Sequence, residues 1–121
     1  MHALHSLFMN KQLEVLQSQY KIKEDVKNDT LLSALSDRYC RSIIEAIMEK
    51  PKSVTEIYAE TKIPISTIYR RIQTLHDNGL LHISGLISND GKKLFLYKSK
   101  IKGFKSRYAG GKIEVELTFT N

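Results

Sequence analysis

The chain has 121 residues, 41% hydrophobic and 26% charged, a mixture that suits one globular core and gives no sign of bulk disorder. No apolar run approaches the roughly 18 residues that cross a bilayer, no secretory leader pattern opens the sequence, and Cys40 is the single cysteine, so no disulfide framework can form and a cytoplasmic location is expected. The formal charge is +6 and unevenly placed: residues 62–108 hold ten basic side chains against only Asp77 and Asp90, a net of +8, which is the footprint of a polyanion binder.

Residues 3–23 contain no Gly or Pro and read as a helix. Met9, Leu13, Leu16 and Tyr20 form one stripe at helical spacing; Leu4, Phe8, Val15 and Ile22 form a second. Two stripes fit either a helix covered by a partner subunit or one wedged deeply into its own fold. Residues 23–30 are polar and read as a link. Residues 31–50 return to a helical pattern that Ser36-Asp37 is placed to interrupt, since either side chain caps a new helix. Pro51 ends it.

Ser53-Val54-Thr55-Glu56 fits a capping box, in which each polar side chain satisfies an orphan backbone donor of the other residue. It opens a short helix to about Thr61. Lys62-Ile63-Pro64 makes a turn, and Pro64 suits the start of the next helix, predicted over 65–78 and closed by Gly79. Beyond Gly79 the period changes to two. Residues 80–88 and 92–99 flank Asn89-Asp90-Gly91, where Asp-Gly favours a two-residue hairpin turn. Residues 101–108 and 112–120 form a second predicted hairpin around Ala109-Gly110-Gly111.

On a helical wheel the 65–78 helix turns Ile65, Ile68, Ile72 and Leu75 to the core. Ser66, Arg70, Gln73 and Thr74 lie opposite, with Thr67 and Arg71 on one flank and Tyr69 on the other. Such a face suits DNA: Arg grips guanine bidentately, Gln pairs with adenine, and Ser or Thr takes base edges or phosphates. The helix N-terminus also favours a phosphate.

The stretch Ser53 to Leu81, SVTEIYAETKIPISTIYRRIQTLHDNGLL, resembles the helix-turn-helix of winged-helix transcription regulators, most of all the ArsR-type proteins. The run Ser66-Thr67-Ile68-Tyr69-Arg70-Arg71 is similar to the DNA-binding domain of IclR-type proteins. Leu75 followed by Asn78-Gly79-Leu80-Leu81 looks like the usual exit from recognition helix to wing, and Ala34-Leu35-Ser36-Asp37-Arg38-Tyr39-Cys40-Arg41 resembles the ArsR helix start with looser spacing. The resemblance covers residues 32–97. It implies an α+β winged helix-turn-helix, here with an added N-terminal helix and a C-terminal β-hairpin. The expected division is 1–30 as N-terminal helix, link and dimerisation element, 31–99 as DNA-binding domain and 100–121 as extension. It further implies a homodimer on double-stranded DNA, with the 65–78 helix in the major groove and the hairpin bearing Lys92 and Lys93 as a wing on backbone or minor groove. Those lysines would add mostly salt-dependent, non-specific affinity.

Metal-sensing ArsR proteins carry clustered cysteines or His/Asp sets; this chain has Cys40 alone, and His2, His5, His76 and His82 lack compact ligand spacing. No metal or other cofactor is expected, and no effector ligand is legible. G-x-S-x-G, P-loop, H-E-x-x-H and CxxC patterns are absent from the sequence. Glu45/Glu49, Glu56/Glu60 and Glu114/Glu116 read as solvated faces rather than catalytic pairs, so an enzyme is not expected. The competing reading is a winged helix used as a protein-interaction module in a transcription, replication or recombination assembly. The polar, basic outer face of the 65–78 helix argues for nucleic acid instead.

Overall fold

The computed structural model describes residues 19–22 and 25–120. Their elements run β1 (Gln19–Ile22), α1 (Asp25–Ser36), α2 (Arg38–Ala46), α3 (Val54–Thr61), α4 (Ile65–Asp77), β2 (Leu81–Ile87), β3 (Lys93–Ser99), β4 (Ile101–Ala109) and β5 (Lys112–Phe119). The architecture is α+β, a winged helix-turn-helix in which β2 and β3 form the wing.

Ser36-Asp37 does break the first long apolar pattern. Asp37 is extended (φ −79°, ψ 125°), and its carboxylate accepts from the Cys40 N–H at 2.9 Å, capping α2. That cap lets α1 and α2 turn separately onto one core. Ser53 accepts from Glu56 N–H while the Glu56 carboxylate accepts from Ser53 N–H, completing the expected box at α3. α3 closes on Lys62 in the left-handed region (φ 59°). α4 closes through Gly79 (φ +72°): Gly79 N–H donates to His76 O and Leu80 N–H to Leu75 O, at 2.9 and 3.0 Å. This 6→1 and 5→2 pair ends the helix sharply and aims the chain into the wing.

Four expectations need correction. Gln19–Ile22 are not helical: they pair antiparallel with β5, Gln19 opposite Thr118 and Ile22 opposite Val115. The rest of the expected helix, residues 1–18, falls outside the described residues, as does Lys23. The expected polar link becomes the first half of α1, which begins at Asp25. There Asn28 is fully buried, and its side-chain oxygen accepts from Val115 N–H at 2.8 Å where the β1 pairing stops. Ile65, assigned to the core face, is 45% exposed. The wing connection has three residues rather than two: Ser88 N–H donates to Lys92 O at 2.8 Å around Asn89-Asp90-Gly91, with Gly91 at φ +82°.

The core draws on all four helices, the wing's root and the second hairpin. Leu35 of α1, Ile43 and Ile47 of α2 and its cap, Ile57 of α3, Ile68 and Leu75 of α4, and Leu80 are fully buried. Ile101, Val115 and Leu117 of the second hairpin join the same cluster. Each such side chain removed from water stabilises the fold by about 1.5–3 kcal/mol. The second hairpin is therefore part of a three-stranded sheet, order β1-β5-β4, that closes the core. At its junction with the wing sits buried Ser99, whose hydroxyl donates to Ile101 O at 2.6 Å and accepts from Ile101 N–H at 3.0 Å. Lys52 exchanges two backbone bonds with Tyr97 and widens the wing's root.

Candidate nucleic-acid interface

Ile68, Ile72 and Leu75 anchor α4, at 0%, 5% and 0% exposure. The 100° step of a helix then fixes where its other residues go. Ser66, Tyr69, Arg70 and Gln73 are exposed, Tyr69 at 56%. Ile65 and Tyr69, four apart, stand together on this outer side and offer apolar surface of the kind that meets a thymine methyl. Gln73 donates to the Asp77 carboxylate at 2.7 Å, a surface bond that a nucleobase can replace.

The remaining members of the expected set point elsewhere. Thr67, Arg71 and Thr74 follow one another at helical spacing and are half-buried. Arg71 and Thr74 line a groove of about 560 Å³ with α1 and α2 residues, including Ala34, Asp37 and Cys40. Arg71 Nε donates to Asp37 Oδ2 at 2.8 Å, and its guanidinium lies 5.6 Å from the centre of the Tyr39 ring. The Thr74 hydroxyl donates to Arg70 O. Two neighbouring arginines thus have different surroundings: Arg70 faces outward, and Arg71 ties α4 to the cap of α2.

Electrostatics at that tie follow the contacts. Partial burial pushes the Asp37 carboxyl up, but the Cys40 N–H and the Arg71 guanidinium outweigh it and hold the carboxyl below the ordinary range. The Arg71–Asp37 bond holds the guanidinium's pKa above its usual value. Burial, then the hydrogen bond and charge of Asp37, push the Cys40 thiol up to about 12. Burial and Asp37 together thus favour the protonated thiol over the thiolate. Asp37 and Tyr39 were not among the sequence-derived site residues. The signal for Asp37 was its capping position; nothing local marked it as the partner of a residue 34 positions away.

On the wing, Lys92 and Lys93 are exposed at the tip. The Ser88 hydroxyl and Lys92 N–H both donate to Asp90, which shapes the turn and lowers that carboxyl's pKa. The Lys93 ammonium lies 4.9 Å from the Phe95 ring centre. Ile83, Leu86, Ile87, Leu94 and Phe95 are exposed along the same two strands. The period-two pattern marked these strands but carried no sign that apolar side chains would be exposed on both of their faces. Among the described residues no three His, Cys, Asp or Glu side chains are placed to hold a metal ion, and no helix is long and apolar enough to cross a membrane.

Residues 35–83, from the end of α1 into the wing, match a family model described as a helix-turn-helix domain. The match supports a DNA-binding regulator at a general level and takes in all of α4. No curated protein matches the chain.

Proposed function

We propose that the chain is a sequence-specific regulator of transcription that binds double-stranded DNA as a homodimer, with α4 in the major groove and the wing tip on the backbone or minor groove. The observation that carries this reading is the two-sidedness of α4 within the helix-turn-helix match: Ile68, Ile72 and Leu75 hold it, while Ser66, Tyr69, Arg70 and Gln73 stand outward. Arg70 is the candidate guanine reader and Gln73 the candidate adenine reader. Pro64 caps α4 without a side-chain hydrogen bond, so the first-turn N–H groups remain available to a phosphate beside Ser66. Lys92 and Lys93 add counterion release. In a dimer the two α4 helices would read half-sites about 34–36 Å apart. The reading assigns the chain no catalysis and a place in the cytoplasm.

Selection from a random duplex pool at fixed salt tests it and should enrich a two-fold symmetric motif. Arg70→Ala should then cost about 1–3 kcal/mol on the selected site and little on random DNA, whereas Lys92→Ala weakens both. Equal losses on both duplexes for both variants contradict the division of roles. The protein-interaction reading draws on one observation, the exposed apolar side chains of the wing. A pool that enriches nothing moves the function there.

A further inference from the structure

The wing ends in apolar surface that a phosphate contact alone does not use. Its last cross-strand pair is Ile87 opposite Lys93, and Ile87 is 78% exposed, the most of any large hydrophobic residue described. Lys93 does not cover it. That side chain runs back toward the wing's root, its ammonium 4.9 Å from the Phe95 ring centre and its Cε 3.4 Å from where a Cβ on Gly85 would stand. Gly85 leaves the lysine its path, and Ile87 stays bare at the apex. In the connecting turn the Asp90 carboxylate is engaged by the Ser88 hydroxyl and the Lys92 N–H, while the Lys92 side chain is exposed. An apolar apex thus stands beside Lys92 and Lys93, and such a tip is complementary to a polyanion with an apolar interior.

The wing also lies on the side that α4 presents. Tyr97, Phe95, Lys93 and Ile87 share one face of the ribbon by register. Burial and then the neighbouring Tyr69 raise the pKa of the Tyr97 hydroxyl, so this face adjoins the outer side of α4. Ile87 is at the far end of β2 from Leu81, about 20 Å along the strand. The minor groove beside an occupied major groove is half a helical turn away, about 17 Å. With α4 in the major groove, the wing therefore reaches the neighbouring minor groove with Ile87 foremost.

We propose that Ile87 is a wedge that the wing tip inserts between two base pairs from the minor groove, kinking the duplex, with Lys92 and Lys93 on the flanking phosphates. The inference rests on the proposed DNA binding and adds to it a deformation of the DNA. Partial unstacking costs least at the flexible TA and CA/TG steps, and burial of the bare isoleucine with release of counterions offsets it. The selected motif should then hold such a step about half a turn, roughly five base pairs, from the bases that α4 reads. An anionic lipid surface also fits an apolar apex beside cations; the helix-turn-helix match and the outward Arg70 favour DNA.

Energy transfer between the ends of the selected duplex, saturated with the full-length chain, tests the wedge. The parent should bend the duplex by about 20–90° and brighten a fluorescent adenine analogue placed at the flexible step. Ile87→Ala, an exposed substitution that spares the core, should abolish both signals and leave the slope of log affinity against log salt unchanged. Ile87→Leu should restore them. Lys92→Ala should do the reverse, lowering the slope by about one while the bend persists at saturation. The wedge fails, and DNA binding survives, if the parent leaves the bound duplex straight or if Ile87→Ala bends it as the parent does. Both fall if the random pool enriches no duplex. A straight duplex together with Ile87-dependent binding to phosphatidylserine vesicles overturns the wedge and makes a lipid surface the partner of the tip.

Discussion

Arg70 and Arg71 are adjacent in sequence and alike in charge, yet one helical step of about 100° separates their surroundings. Arg71 holds Asp37, and Asp37 holds the first turn of α2, so the pair connects the position of α4 to the core rather than to a ligand. Both side chains are more than a quarter exposed (28% and 30%), so their attraction is worth about 0.5–1 kcal/mol after screening. Asp37→Asn separates the ion pair from the cap, because Asn caps a helix about as well as Asp. The Asp37 carboxyl titrates below its ordinary value in the fold. Its contribution is therefore complete above the unfolded value of about 3.9 and is lost as pH falls through the lower folded value. Urea melts should show Asp37→Asn less stable than the parent at pH 7, with the gap closing from about pH 4 downward. A gap that persists unchanged at pH 2 would mean the cap, not the charge, had been damaged.

At the scale of the element, the exit from α4 is the joint that sets the wing against the helix. Gly79 sits at φ +72°, where a Cβ meets no atom within 4 Å but strains the backbone. Gly79→Ala should thus cost about 1–2 kcal/mol through conformation alone. Thermal unfolding should fall by roughly 4–8 °C for each of those kcal/mol in a chain of this size; an unchanged melting temperature would show that the left-handed closure is dispensable. This joint was legible from Asn78-Gly79, as the α3 cap was from Ser53 and Glu56, because caps are local chemistry. What stayed hidden was non-local. The wheel gave Ile65 the right angle for the core, but not where the neighbouring helices stop. It set Arg71 and Thr74 on or near the outer face, but could not show that α1 would come alongside them, its first turns, from Asp25, held by Asn28 reaching across to Val115. The alternation of Gln-Tyr-Lys-Ile over Gln19–Ile22 was too short to tell from a helical stripe, and its strand exists because β5 offers an edge.

For the whole molecule the same distinction changes the electrostatics. Counted along the chain, residues 62–108 carry +8, and β4 supplies Lys102, Lys105 and Arg107 to that sum. In the sheet, however, β5 brings Glu116 opposite Lys105 and Glu114 opposite Arg107, the latter pair bonded at 3.0 Å. An exposed pair like this adds little to stability, but it removes charge from the surface a polyanion would meet. The basic surface contracts toward α4 and the wing tip, where Arg70, Lys92 and Lys93 are exposed. Counterion release turns this into a measurable difference, since each phosphate neutralised adds about 0.9 to the slope of log affinity against log salt. Lys92→Ala should lower that slope by about one, and Arg107→Ala should leave it unchanged, in binding titrations between about 50 and 200 mM salt. Equal reductions from the two variants would place the second hairpin on the DNA and return the charge count along the chain to its first meaning.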